Sequence, residues 1–151
     1  GTKIKANSII ERANIGKSCL IGPFARVRPG TILGDHVQIG NYVEVKAATM
    51  GAGCKVNHLC YVGDATLEEG VIIGAGTITC NFDGMKNNNT YIEKGAFIGS
   101  GCQLVAPVRV GKKAMIGAGS TITKNVPAYE LTVARSRQAV IKGKRPPTSS
   151  N

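Results

Sequence analysis

Aliphatic residues recur at every sixth position along most of the chain, a period that belongs to neither a helix nor an ordinary strand. The series runs to Ile122, has two steps of five residues, and begins with Ile15, Ile21, Val27, Leu33, Ile39 and Val45. Glycine follows most of these residues. Small or β-branched residues recur four positions after them, for example Ala25, Thr31, Val43, Thr66, Thr77, Ala96 and Ser120. The pattern is a hexapeptide repeat, which predicts an all-β parallel β-helix.

Each hexad of such a helix is a short strand followed by a tight turn. We expect the aliphatic residue to point inward, the small residue to fill the corner, and glycine to permit the backbone geometry of the bend. Three hexads make one triangular coil, and successive coils pair at about 4.8 Å. Residues about 18 positions apart therefore become neighbours. The thin core and open ends of a solenoid favour association with other copies.

The period divides the chain into two parts. We expect a β-helix domain over residues 1–127 and an irregular or helical C-terminal tail over 128–151, ending in a disordered "PPTSSN". No apolar run approaches the length that crosses a bilayer, and the amino terminus carries no signal pattern. These features predict a soluble, cytoplasmic protein without a membrane partner.

The charge balance indicates an anionic partner or substrate. Nineteen Lys and Arg against nine Asp and Glu give a formal net charge of +10. Nucleic acid is one candidate, but the sequence has no helix-turn-helix pattern, no zinc knuckle and few aromatic residues for base stacking. We therefore expect no nucleic-acid partner, and a phosphorylated small molecule fits the charge as well.

The cysteines predict neither disulfides nor a metal site. Four of the five, Cys19, Cys54, Cys60 and Cys102, fall at the small corner position of their hexads. An odd count without a CxxC spacing argues against a disulfide framework and against zinc. Only Cys80 lacks a packing explanation, which leaves a reactive thiol as an alternative there.

The largest interruption of the repeat is "NFDGMKNNNT", from Asn81 to Thr90. It is polar and offers no inward aliphatic residue, so we expect a protruding loop near residues 81–90. Interruptions of a repeat often lie on the binding face, although a tolerated insertion explains the same segment.

Two cations replace glycine after the inward aliphatic residue. Arg28 and Lys46 are 18 residues apart, so they should stand on one edge about one strand spacing from each other. Two like charges at that distance repel unless an anion lies between them. The spacing favours a phosphate site, and two solvated surface charges are the alternative.

A histidine stands beside a third interruption at Asn57. Because the next coil includes a five-residue step, Ala75, 17 residues onward, should stack beside His58, and Tyr61 should stack over Glu44. Exposed histidines are usually ordinary surface residues. Among these neighbours His58 is a candidate general base, since its unperturbed pKa lies near working pH.

Several motifs resemble one bacterial enzyme family over nearly the whole chain, from about Ile15 to Arg145. They are "RPGTILGDHVQIGNYVEVKAATMGAG", "HLCYVGDA", "IGAGTITCNFDG", "GSGCQLVAPVRVGKKAMIGAGSTIT" and "VARSRQ". They are similar to the acetyltransferase half of the bifunctional glucosamine-1-phosphate N-acetyltransferase and N-acetylglucosamine-1-phosphate uridylyltransferase. Single hexads are shared by many acyltransferases, whereas HLxYxGDA combined with IGAGTITCN is much more specific.

The resemblance implies a left-handed β-helix, a homotrimer with active sites at subunit junctions, and acetyl-CoA as co-substrate without a catalytic metal. It implies N-acetyl transfer to glucosamine 1-phosphate or a related amino-sugar phosphate, a step of UDP-N-acetylglucosamine biosynthesis for the cell wall. By the same resemblance His58 is the general base, and Glu44 lies close enough to orient it or balance its charge. Arg28, Lys46 and Tyr61 match residues that hold the sugar phosphate.

The resemblance also assigns the acetyl-CoA side of the site. The matched residues, which hold the coenzyme or polarise its thioester, are Asn81, Ala75, Ser100, Ala118 and Arg135. The tail is expected to reach a neighbouring subunit. The amine would attack the thioester directly, without a covalent enzyme intermediate.

Three positions depart from the family pattern. Ile72, Phe82 and Asn87 stand where the family has Asn, Tyr and Lys, and Lys86 is the nearest replacement for the missing lysine. These changes leave the exact acceptor open. They also favour an alternative, a trimerising or regulatory β-helix of a sugar nucleotidyltransferase with a decayed acceptor site.

A metal-dependent carbonic anhydrase built on the same helix is a further alternative. That site needs three histidines around the metal, and the chain has only His36 and His58.

Overall fold

Three parallel sheets wind around one core in the computed structural model, which describes residues 1–143. Each coil contributes one short strand to each sheet in turn, and strands of successive coils pair in parallel. Within residues 1–143 there is no helix, and so none that could cross a membrane. The predicted all-β parallel β-helix is confirmed, and its left-handed winding stays a prediction.

The strands are two to four residues long. The first sheet contains β1 (Lys3–Ile4), β4 (Leu20–Ile21), β7 (Gln38–Asn41), β10 (Lys55–His58), β13 (Ile72–Ile73), β16 (Phe97–Ile98), β19 (Met115–Ile116) and β21 (Leu131–Thr132). The second contains β2 (Ile9–Ile10), β5 (Arg26–Val27), β8 (Glu44–Lys46), β11 (Tyr61–Gly63), β14 (Ile78–Cys80), β17 (Gln103–Val105) and β20 (Thr121–Ile122). The third contains β3 (Asn14–Ile15), β6 (Ile32–Leu33), β9 (Thr49–Met50), β12 (Ala65–Leu67), β15 (Thr90–Ile92) and β18 (Val108–Val110).

The six-residue period marks the core correctly. Ile39, Val45 and Leu104 are fully buried, as expected for inward aliphatic residues. One corner position was assigned wrongly: Thr66 faces outward between Thr49 and Tyr91, and Ala65 is the buried residue. The five-residue step shortens this hexad, so its small residue comes one position earlier.

Glycine serves a different purpose from the one expected. At Gly40 an added Cβ would lie 1.8 Å from the Asn57 carbonyl oxygen, and at Gly74 it would lie 2.5 Å from the Ser100 amide nitrogen. Neither glycine has a left-handed backbone. The left-handed residue comes two positions later, at Tyr42 (φ 56) and Gly76 (φ 71). At these two positions glycine is therefore required by the close approach of the next coil, and the bend is made elsewhere.

The irregular C-terminal tail is confirmed for the described residues. β21 still pairs with β19, so the first sheet continues past residue 127. Residues 133–143 contain neither strand nor helix. The boundary between 127 and 128 stays a prediction. The expected disorder of "PPTSSN", and the cations Lys144 and Arg145, lie outside the described residues.

The four corner cysteines are buried in the column of the core, as predicted. Cys80 differs, because it lies on β14 and is only half-buried. Burial raises the pKa of the Cys80 thiol. A raised pKa means a smaller thiolate fraction at any pH below it, and the thiolate is the nucleophile. The environment of Cys80 therefore disfavours a reactive thiol.

We predict that iodoacetamide alkylates Cys80 in the folded protein more slowly at neutral pH than it alkylates cysteine in an unstructured peptide. The rate should rise with pH to a midpoint above that of the peptide, because the folded thiol loses its proton later. Mass spectrometry after timed quenching measures the modification, and Cys80→Ser identifies its contribution. Fast alkylation with a midpoint below that of the peptide would contradict this account.

Candidate active site

His58 stands in a column of residues at the corner between the first and second sheets. β10 pairs with β7 so that His58 lies opposite Asn41. On the next coil the Gly76 N–H donates to the His58 carbonyl oxygen at 3.1 Å, which places Ala75 beside His58 as predicted. The Gly101 N–H donates to the Ala75 carbonyl oxygen in the same way, and the Gly119 N–H donates to the Ser100 carbonyl oxygen. The column therefore runs Asn41, His58, Ala75, Ser100, Ala118.

The His58 ring is exposed and is held by a residue of the preceding coil. Its Nδ1 lies 2.9 Å from the Oδ1 of Asn41. An amide oxygen only accepts hydrogen bonds, so the neutral imidazole carries its proton on Nδ1. Nε2 is then left with its lone pair, which is the state that a general base requires.

A second column of residues runs along the same corner, and its side chains change from large residues to glycines on the coil that follows His58. Its lower members are Phe24, Tyr42 and Leu59, all large and exposed, with the rings of Phe24 and Tyr42 stacked at 5.4 Å. Its upper members are glycines, each with positive φ, and a Cβ added at Gly101 or Gly119 would meet nothing within 4 Å.

From His58 upward this corner is therefore a strip of small side chains and glycines, without the large residues found on the lower coils. We call it the corner groove and define it by Ala75, Gly76, Ser100, Gly101, Ala118 and Gly119. Its far end meets the tail, where the Arg135 guanidinium donates to the Ala118 carbonyl oxygen of the same chain. The corner groove is thus bounded by an imidazole at one end and a cation at the other.

Arg28 and Lys46 stand on adjacent coils, as the spacing predicted. β5 and β8 pair in a register that places them side by side. The structure differs from the expectation of two uncompensated charges, because each cation has a carboxylate. Arg28 Nη1 lies 2.8 Å from Glu44 Oε1, and Lys46 Nζ lies 3.5 Å from Asp64 Oδ2. Mutual repulsion of the cations therefore no longer argues for a phosphate.

Glu44 is expected from the resemblance to support His58, and its position is now defined. It lies opposite Tyr61 in the register between β8 and β11, as predicted, and its carboxylate binds Arg28. The contact that holds the His58 ring comes from Asn41 instead. A role for Glu44 beside His58 stays a prediction.

Asn81 joins the second sheet to the loop that follows it. Its side chain is largely buried, at 8% exposure for the residue. Its Nδ2 donates to Asp64 Oδ2 at 2.6 Å and to the Tyr61 hydroxyl oxygen at 3.2 Å. The Asp64 carboxylate thus links Lys46 to Asn81, and Asn81 in turn contacts Tyr61.

The loop after Asn81 projects into solvent as a short hairpin, with Phe82 bridged to Asn87. Asp83 fixes its turn by accepting hydrogen bonds from the Met85 and Lys86 amides. The backbone bond from Lys86 is the main cause of a lowered pKa for the Asp83 carboxyl. The protruding loop is confirmed, and a substrate-binding role for Lys86 on it stays a prediction.

Sequence reasoning missed Asn41 and Asp64. Both could have been predicted from the coil spacing, because Asn41 precedes His58 by 17 residues and Asp64 follows Lys46 by 18. Within residues 1–143 no cluster of three His, Cys, Asp or Glu side chains is placed to hold a metal ion.

Comparison with known proteins agrees with the repeat. The family described as bacterial transferase hexapeptide (six repeats) matches residues 12–47 and 89–124. The bifunctional protein GlmU of Alkalilimnicola ehrlichii is 59% identical over 147 residues, which are 97% of this chain and 32% of that protein. The chain thus spans about one third of the length of such relatives.

Solved structures share the fold. A perosamine N-acetyltransferase from Caulobacter crescentus, solved with CoA and GDP-perosamine, superposes with a TM-score of 0.65 at 22% identity, over 75% of this chain and 51% of that one. The acetyltransferase domain of PglB from Neisseria gonorrhoeae gives a TM-score of 0.50 at 25% identity, over 84% of this chain and 51% of that one. The chain therefore carries the hexapeptide repeat of bacterial transferases and is similar to one third of a GlmU protein, so the resemblance predicted from its motifs is confirmed.

Proposed function

We propose that the chain is an acetyl-CoA-dependent N-acetyltransferase that acts on glucosamine 1-phosphate or a related amino-sugar phosphate. The observation that carries this proposal is the position of His58, whose free Nε2 stands where the corner groove begins. Support comes from the 59% identity to a GlmU protein and from the fold shared with acetyltransferases. In this reading the chain serves UDP-N-acetylglucosamine biosynthesis in the cytoplasm.

The corner groove suits acetyl-CoA because the coenzyme is thin and has chemically different ends. The thioester end would lie beside His58 and Ala75, where the floor is made of small residues. The phosphates would lie toward Arg135 and Arg137, which are exposed cations of the tail. Ser100, exposed between the two ends, would offer its hydroxyl to the coenzyme or to the thioester oxygen.

The acceptor would lie over the second sheet, between His58 and the cations. The strand Tyr61–Gly63 spans the sheet between the two corners, about 10 Å for three residues. Arg28 and Lys46 would bind the phosphate, although each already has a carboxylate. The side chains of the Arg28–Glu44 pair are 34% and 35% exposed, and such pairs contribute only about 0–1 kcal/mol in water. A dianionic phosphate can therefore compete for Arg28 at small cost, and the Lys46 ammonium, 3.5 Å from Asp64 Oδ2, has further N–H donors for the same phosphate.

The reaction requires no group beyond the two substrates and the protein. The neutral amine attacks the thioester carbonyl, so that a C–N bond forms and the C–S bond breaks. His58 Nε2 accepts the amine proton, and the departing CoA thiolate is reprotonated by the imidazolium or by water. Proximity supplies much of the rate, and general-base catalysis adds about 10²–10⁴-fold.

The outer face of the first sheet supports association with other copies of the chain. Ile72, Phe97, Met115 and Leu131 form one column on successive coils and are 39%, 39%, 50% and 65% exposed. We propose that a homotrimer covers this column, because a column of large exposed apolar residues favours burial. Ile72, where the family has Asn, would then lie at the junction between two subunits. There it would change the side chain presented to the acceptor.

We predict that the protein releases CoA thiol from acetyl-CoA when glucosamine 1-phosphate or a related amino-sugar phosphate is present. His58→Ala should lower kcat by about 10²–10⁴-fold, because the proton acceptor is lost. A thiol-reactive dye follows the reaction across a panel of amino sugars and their 1-phosphates. His36→Ala is the matched control, since His36 is also exposed but lies at another corner.

Full activity of His58→Ala would remove His58 from the mechanism. Absence of turnover with every acceptor would instead favour the second candidate, a trimerising or regulatory β-helix. That candidate is supported by Ile72 and Asn87, which depart from the family pattern. It is also supported by the carboxylates that already pair with Arg28 and Lys46.

We predict that Ala118→Leu weakens acetyl-CoA binding by tenfold or more, because the larger side chain fills the corner groove. Ala118 is exposed and has no left-handed backbone, so the change should leave the melting temperature nearly unchanged. Calorimetric titration with CoA measures the affinity. Ala52→Leu is the control, because Ala52 is another exposed alanine and lies outside the groove. Equal affinities for both variants would contradict the groove assignment.

A further inference from the structure

Asp64 lies at the corner between the second and third sheets and is fixed by the coils on both sides. Its backbone is left-handed, with φ 47, which Asp tolerates better than most residues. Its N–H donates to the Lys46 carbonyl at 3.0 Å, and its carbonyl accepts from the Thr90 N–H at 3.1 Å. The carboxylate therefore projects from a well-defined point.

That carboxylate contacts two residues of the proposed site. Oδ2 accepts from Asn81 Nδ2 at 2.6 Å and lies 3.5 Å from Lys46 Nζ. The Asp64 side chain is only 21% exposed, and Asn81 is 8% exposed. The contacts are thus partly sheltered from water, which strengthens them relative to contacts on an open surface.

The contact fixes which way the Asn81 amide faces. An ionised carboxylate only accepts hydrogen bonds, so the amide nitrogen of Asn81 must face Asp64 and not the amide oxygen. The second N–H of the same nitrogen points to the Tyr61 hydroxyl oxygen at 3.2 Å. The Tyr61 hydroxyl then accepts from Asn81, and its own proton is available to another acceptor. The Asn81 Oδ1 is likewise turned away from Asp64.

The neighbouring backbone leaves space for this arrangement. At Gly63 an added Cβ would lie 2.3 Å from the Tyr61 hydroxyl oxygen and 2.8 Å from Asn81 Nδ2. The Gly63 N–H donates to the Thr79 hydroxyl at 2.8 Å, and that hydroxyl donates to the Gly63 carbonyl at 3.0 Å. Tyr61 and Asn81 thus meet over a glycine that is anchored from the core.

We propose that Asp64 is a positioning residue for acetyl transfer, which orients Asn81 and thereby the donor and acceptor atoms that Tyr61 and Asn81 present to the substrates. The inference rests on the proposed function. Asp64 would act through Asn81 and not through a contact of its own with either substrate. Removing its carboxylate frees the Asn81 amide to rotate, so that the polar atoms of the site no longer hold one direction.

The test is a double-mutant cycle on kcat at saturating acetyl-CoA and acceptor. Asp64→Ala should lower kcat about tenfold to a hundredfold, as removal of orienting partners does at other sites. Asp64→Asn keeps an acceptor oxygen for the Asn81 amide and should recover kcat to within about threefold of wild type. In the Asn81→Ala background, Asp64→Ala should cost less than about threefold, because there is no amide left to orient.

Asp35→Ala is the matched control. Asp35 is another corner carboxylate, which accepts from the Lys17 N–H at 2.7 Å on an exposed corner outside the proposed site. It should retain wild-type kcat with a comparable change in melting temperature. Unchanged kcat in Asp64→Ala, or losses that simply add to those of Asn81→Ala, would overturn the proposal.

A readout without turnover separates this proposal from the proposed function. The side-chain amide resonances of Asn81 in 15N-labelled protein are identified by their loss in Asn81→Ala. Asp64→Ala should shift these resonances and speed their hydrogen exchange, whereas Asp35→Ala should not. If wild type shows no turnover, the proposed function fails and this measurement still decides the orientation of Asn81, with unchanged resonances in Asp64→Ala overturning it.

Discussion

The register of hydrogen bonds between successive coils determines every other feature of this molecule. Each short strand pairs in parallel with the strand one coil away, and the bonds at the corners repeat the same spacing. This register sets His58 beside Asn41 and Ala75, and sets Tyr61 beside Glu44. A shift by one residue would turn inward side chains outward and separate these neighbours. The positions of these residues therefore depend on the stacking of the coils.

The six-residue period predicted most of the fold, because each short strand buries one aliphatic residue and these residues recur at a fixed spacing in the sequence. It also predicted which distant residues meet, including Arg28 with Lys46 and His58 with Ala75. It misassigned Thr66, since a five-residue step can be absorbed at more than one corner. It also gave the wrong reason for glycine at Gly40, because the approach of the next coil's backbone is not visible in the sequence.

Side-chain partners were harder to predict than backbone neighbours. The register places Arg28 near both Glu44 and Lys46, and only the geometry shows that the guanidinium binds the carboxylate. The partner of the His58 ring is likewise an amide, Asn41, although a carboxylate was expected nearby. The length and rotamer of each side chain determine which of several neighbours on adjacent coils it contacts. A repeat identifies the candidates for a contact without selecting one.

A crystal structure of the protein with bound CoA tests most directly whether the corner groove holds acetyl-CoA with its reactive end at His58. We predict that the CoA sulfur lies within roughly 4 Å of the His58 ring, close enough for reaction. The rest of the coenzyme should follow the corner from Ala75 to Ala118, with its phosphates toward Arg135. CoA bound on another face, such as the outer surface of the third sheet, with the corner groove empty, would contradict the account.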